Sequence, residues 1–171
     1  MSQGKKPKYL PDPEGQESIS NAILKTANSY PGLDKNLGER FRFCETEPEE
    51  GLSLMVSSGS FIYDHHESIT GHVWEQCLYP FVVIYRASGL NEKRKMEVKE
   101  WIDSFAKWLT RQPVTLNGKR YQLAEWPKLT DGRVIREVTR TSTTYLSTID
   151  DGKTEVWISN LQIQYRNEFD R

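Results

Sequence analysis

Sulfur and histidine are scarce in this chain of 171 residues, which holds two cysteines, three methionines and three histidines. Cys44 and Cys77 stand far apart with no CxxC or CxxCH pattern, and two buried free thiols are the expected state. Charge of one sign is also lacking. The balance of 23 basic against 24 acidic residues leaves a formal net charge of −1, which argues against a dedicated nucleic-acid binder, since those are basic. No apolar run approaches the ~18 residues that a membrane-spanning helix needs. The start, Met1-Ser2-Gln3-Gly4-Lys5-Lys6-Pro7-Lys8, is basic but has no apolar segment behind it, so no secretion signal is expected there. Together these absences point to a soluble product made in a reducing compartment. Catalytic signatures are missing as well: there is no GxSxG, HExxH, P-loop or GxGxxG. Ser58-Gly59-Ser60 is too short to cradle a phosphate. Neither an enzyme nor a cofactor is expected. No internal repeat or low-complexity block is present.

What the chain does have is aromatic. Hydrophobic content is 36% and mean hydropathy −0.69, yet aromatics make up 11%, with five Trp and eight Tyr. That combination reads as a small core plus contact surfaces. The length suits one domain. Residues 1–15, with Gly4, Pro7, Pro11, Pro13, Gly15 and several lysines, read as a flexible N-terminal arm. Residues 16–171 read as a single α+β domain.

The pattern along that domain is legible. Ile19, Ile23, Ala27 and Tyr30 recur at helical spacing from about Gln16 to Tyr30. Ser18 or Glu17 suits the first turn, and Pro31-Gly32 stops the helix. A turn is expected over Asp34 to Asn36. Phe41 and Phe43 alternate with Arg40 and Arg42 as a short strand, and an acidic loop follows from Glu45 to Glu50. Leu52, Leu54 and Val56 mark a half-buried strand. Ser58-Gly59 turns the chain into Ser60 to Tyr63. Val73 to Tyr79 leads into Phe81-Val82-Val83-Ile84-Tyr85, five residues that are all β-branched or aromatic. That run predicts a strand apolar on both faces. Pro80 cannot donate to a ladder, so it marks a strand start, a bulge or an edge. Val98, Trp101, Ile102, Phe105 and Leu109 then fall on one face of a helix from about Glu92 to Arg111, ended by Pro113. Asn117-Gly118 predicts a tight hairpin. Arg133 to Ile149 is a Thr-rich β segment. It turns at Asp151-Gly152 into a strand with Trp157, Leu161, Ile163 and Tyr165 on one face. The expected fold is α+β: a mostly antiparallel sheet on one long and one shorter helix, with an extended C-terminal hairpin.

Candidate sites are few. Asp64-His65-His66 matches a metal-binding signature of one phosphoesterase family, whose members need further Asp and His motifs over a longer chain. Here only His72 can join, so Asp64, His65, His66 and His72 are weak candidate ligands of a small metal site. The plainer reading is a polar strand edge whose histidines face water. Lys93 with Glu97, and Asp103 with Lys107, are i,i+4 pairs on the polar side of the long helix and read as a solvated face. Arg133, Arg136 and Arg140 share one β segment and read as a charged edge that resists aggregation. The strand run needs cover on both faces, while helices are few. A neighbouring copy of the chain is the natural cover, which selects Phe81, Val83, Tyr85, Arg136, Arg140 and Trp157 as candidate interface residues.

The order of elements resembles one family. It runs from a helix closing on Tyr30-Pro31-Gly32-Leu33, through a polar β region and Tyr79-Pro80-Phe81-Val82-Val83-Ile84-Tyr85-Arg86, to an amphipathic helix with Trp101-Ile102 and Phe105. The strand Glu155-Val156-Trp157-Ile158-Ser159-Asn160-Leu161-Gln162-Ile163-Gln164-Tyr165 closes it. This layout, over roughly residues 16 to 168, resembles the tail terminators of long-tailed phages, often labelled minor capsid proteins. The N-terminal arm and the Asn-Gly hairpin are departures from it. The resemblance implies a homo-oligomeric ring, in that family usually a hexamer, located in the virion neck. Such a ring stops the tail tube protein from polymerising and joins the tube to the head connector or head-completion protein. DNA passes through its lumen without sequence-specific contacts, and no membrane is involved. The alternatives are another neck or tail structural protein (tube or head-completion), a small metal-dependent hydrolase, or a carbohydrate- or peptide-binding module using the tryptophans.

Overall fold

A computed structural model describes residues 16–45, 50–150 and 152–171. The arm expected over 1–15, residues 46–49 of the acidic loop and Asp151 of the last turn lie outside the described residues. Helix α1 (Gln16–Ala27) buries Ile19, Ile23 and Ala27. It ends sooner than its apolar spacing predicts, because the N–H groups of Ser29 and Tyr30 bond three residues back to Thr26 and Ala27. This tightened last turn still delivers Tyr30 into the core. Asp34 then caps a single 3-10 turn, Lys35–Leu37, accepting the N–H groups of Asn36 and Leu37.

Nine strands follow: β1 (Phe41–Phe43), β2 (Gly51–Val56), β3 (Phe61–Glu67), β4 (His72–Ser88), β5 (Val114–Leu116), β6 (Lys119–Tyr121), β7 (Val134–Arg140), β8 (Tyr145–Asp150) and β9 (Thr154–Asp170). Helix α2 (Glu92–Leu109) lies between β4 and β5. Seven strands form one sheet in the order β1-β2-β4-β9-β7, with β3 also on β4 and β8 also on β9. Every pairing is antiparallel except β1 with β2. The expected α+β class and mostly antiparallel sheet are therefore what the chain adopts.

The sheet's spine is longer than the sequence signals. Strands β4 and β9 each run for 17 residues and pair from His72–Asp170 to Ser88–Thr154. Pro80 sits mid-strand, not at a start. Its carbonyl accepts the N–H of Ser57, so residue 80 turns its backbone polar groups to the side where β2 ends and β3 begins. No continuous ladder passes there, and the missing N–H costs no strand pairing. The expected C-terminal hairpin exists, but one arm is broken. β7 and β8 both pair with β9, and between them Ser142 Oγ accepts the backbone and side-chain N–H groups of Asn160.

Both helices cover one face of this sheet. Val98, Ile102, Phe105, Ala106, Trp108 and Leu109 of α2 are buried against Leu54, Tyr79, Phe81, Val83, Leu161, Ile163 and Tyr165. Tyr30 sits among the rings of Trp101, Phe105 and Trp108 at 5.1–5.5 Å. Asn91 caps α2 by accepting the N–H of Arg94. The β5–β6 hairpin turns at Asn117 and Gly118, with φ of 50° and 77°, the left-handed pair that the dipeptide predicts.

Candidate assembly surface

The structure divides the apolar strand run by parity. Phe81 and Val83 face the helices and are fully buried inside the subunit. Their cover is intramolecular, so these two side chains are core and not available as contacts. Tyr85 and Trp157 are half-buried and also pack against the core. Burial raises the Tyr85 phenol, with Glu39 and Glu50 adding to the effect and Arg94 opposing it. Trp157 donates its indole N–H to Glu155, which also pairs with Lys95 at 2.7 Å.

The other side of the same strands is different. Leu78, Val82 and Ile84 of β4, Met55 of β2, and Val156 and Ile158 of β9 are also half-buried, but they stand outside the core cluster. No helix covers that face among the described residues. The expectation of two apolar faces is thus right for the strand. One face is closed by α1 and α2, and the other is open.

The two lateral margins of the sheet are also apolar. On one margin β3 exposes Phe61, Ile62 and Tyr63 at 47%, 53% and 46%, and β1 exposes Phe43. On the other margin β7 exposes Val134, and β8 exposes Tyr145, Leu146 and Ile149. Phe61-Ile62-Tyr63 carries a readable signal for an edge, three large apolar residues running into a polar triplet.

Of the three arginines expected to form a charged edge, Arg133 is buried just before β7 and does not; the two interface candidates, Arg136 and Arg140, part ways. Arg136 is exposed and occupies a β-bulge between Ile135 and Glu137, on the margin itself. Arg140 is tied down: it donates to Asp103 Oδ1 at 3.1 Å. Asp103 also accepts the backbone N–H and hydroxyl of Thr144 and pairs with Lys99. This corrects the solvated-face reading of Asp103, whose partners are Lys99 and the β7–β8 break. Burial works against its charge, but the hydrogen bonds from Lys99 and Thr144 outweigh it and hold the carboxyl below its ordinary value.

The Asp64-His65-His66 triplet lies on the edge strand β3, where alternation splits it. His65 points to the helix side and meets Glu75 at 3.0 Å. Asp64 and His66 point to the open side, 3.1 Å apart, and His66 stacks on Trp74 with ring centroids at 4.0 Å. His72 pairs instead with Asp170 at 2.7 Å. Asp64, His65, His66 and His72 are therefore engaged in separate pairs, and among the described residues no three ligand side chains converge on a metal position.

One cleft of about 720 Å³ opens between the first half of α2 and the ends of β1 and β2. Leu52, Ala87 and Val98 line it, while Arg94 pairs with Glu97 at 2.8 Å on its rim. Among the described residues that line it, there is no nucleophile with an adjacent base. No described helix is long and apolar enough to cross a membrane. No protein-family model matches the chain, and no curated protein matches it significantly.

Proposed function

We propose that this protein is a structural subunit of a phage neck, assembling as a ring that terminates the tail tube and joins it to the head connector. The observation that carries the reading is the helix-free face of the sheet, where Met55, Leu78, Val82, Ile84, Val156 and Ile158 are only half-buried while both helices cover the opposite face. A chain this hydrophilic overall has enough polar side chains to avoid such a surface, and partly exposed apolar side chains gathered on one face mark a contact site. The resemblance in element order supplies the ring and its place. The proposed partners are other copies of the chain, the tail tube protein and the connector or head-completion protein.

The test is made on particles. Electron microscopy of virions of the phage carrying the gene should place the protein as a closed ring between connector and tube. Tails grown without it should be irregular, too long, and unable to join heads. Normal tail length in that mutant removes the terminator role and leaves a neck or tube subunit of another kind. The gene is expected just ahead of the major tail protein gene.

A further inference from the structure

Of the twelve exposed large apolar side chains among the described residues, eight lie on the sheet's margins: Phe43, Phe61, Ile62 and Tyr63 on one, Val134, Tyr145, Leu146 and Ile149 on the other. A surface built for a two-fold dimer presents one self-matching patch. Two different patches at opposite ends of one sheet suit a head-to-tail contact, the kind that closes into a ring when its rotation closes.

The heights of the patches agree. Strand register places Phe61 in the row of Leu78 and Ile62 in the row of Cys77. Val134 lies in the row of Gln76, through Arg166. Higher up, Phe43 reaches the row of Val83 through Leu54, and Tyr145 the row of Ile84 through Ile158. Each margin thus carries a lower and an upper apolar group, and the groups match to within about two rows. Charge agrees as well. Asp64, in the row of Gln76, would meet Arg136, bulged beside the row of Cys77. Direction agrees too. β1 and β3 run opposite to β4, while β7 and β8 run with it. Copies related by rotation about an axis near the strand direction would then meet antiparallel along the margin, apart from Phe41, whose backbone N–H and C=O are taken by the Asn28 side chain.

We infer that the β1/β3 margin of one copy docks on the β7/β8 margin of the next, giving a head-to-tail contact between identical chains. The contact is led by side chains. Bulges at Tyr63, Arg136 and Ser147 interrupt the free ladders, as edge strands use bulges to limit uncontrolled pairing. The inference deepens the ring reading above, which it needs for closure but not for the contact itself.

Disulfide trapping in the full chain tests it. In a Cys44→Ser background, one double variant carries Phe61→Cys with Val134→Cys and a second carries Phe43→Cys with Tyr145→Cys. Within one copy the lower pair is separated by three strand spacings, about 14 Å, too far for a disulfide, which needs Cα atoms within about 7 Å. Mild oxidation at about 1 mM protein, where a contact with a Kd near 1 mM is half formed, should give a ladder of covalent dimers, trimers and larger species from at least one double variant. Each single variant should stay monomeric. Covalent dimers from a single variant would show a two-fold contact and overturn the inference, as would the lack of a ladder from both pairs. A ladder combined with normal tails in the gene-deleted phage keeps the contact and retires the neck role. A neck ring without any ladder does the reverse.

Discussion

At the scale of single residues, two polar groups inside the fold behave oppositely. The Asp103 carboxylate holds Lys99, Arg140 and Thr144, linking α2 to the break between β7 and β8. Its pKa is lowered in the folded state, so its stabilisation is present above the unfolded value of about 3.9 and is lost as pH falls through the folded value. Asp103→Asn should therefore lower stability near neutral pH by roughly 1.5–3 kcal/mol, as for hydrogen bonds to charged groups. It should also flatten the loss of stability below about pH 4; denaturant melts across pH 2–7 would show it, and an unchanged acid limb would assign that loss to other carboxylates. Tyr30 is the converse case. Its hydroxyl is buried with no partner among the described residues, and burial pushes the phenol up to about 12. Tyr30→Phe keeps the ring among its three aromatic neighbours and removes an unsatisfied hydroxyl, a group that costs about 1–3 kcal/mol when buried. Thermal melts should find the variant at least as stable as the parent. Because the folded phenol ionises later than the unfolded one, near 10, the parent also loses stability as pH rises from about 10 through 12. The variant should lose less over that span.

At the scale of elements, α2 was the most legible part of the chain. Its stripe of Val98, Ile102, Phe105 and Leu109 is buried as the spacing predicts. Trp101 shares the stripe but lies at its edge, half-buried, donating to the Gly32 carbonyl at 3.1 Å. Phe105→Ala should cost about 3–5 kcal/mol, the usual range for deleting a buried aromatic. Trp101→Ala should cost less, and equal losses in urea melts would mean that Trp101 is as central as Phe105. Boundaries were less legible than the elements themselves. Nothing local in Val73 to Ser88 says that one strand continues through Pro80, because that depends on β2 and β3 leaving a gap beside it. The pairing of Arg140 with Asp103 was hidden for a similar reason: the two are 37 residues apart in sequence, and only the fold brings them together.

At the scale of the whole molecule, the sheet has one closed face and one open face, and period-2 alternation alone cannot tell which is which. Phe81 to Tyr85 reads as apolar on both sides, and both sides are apolar; the helices settle which half becomes core. That is why Phe81 and Val83 were legible as important but not as internal, while Val82 and Ile84 went unnamed as surface. Adjacent residues therefore give a direct test. Val83 is fully buried, so Val83→Ala should destabilise the isolated subunit by about 1.5–3 kcal/mol, the value of burying such a side chain. Val82 is only half-buried, beside Met55 and Asn160, so Val82→Ala should cost about 1 kcal/mol or less, the scale of a cross-strand pair. A charged Val82→Lys should still give a folded subunit by circular dichroism. If the open face is a docking surface in the neck, that folded variant should fail to enter particles while Val82→Ala enters normally. Incorporation of Val82→Lys at the parental level would mean that this face stays bare in the virion, and would leave the margins to make the ring alone.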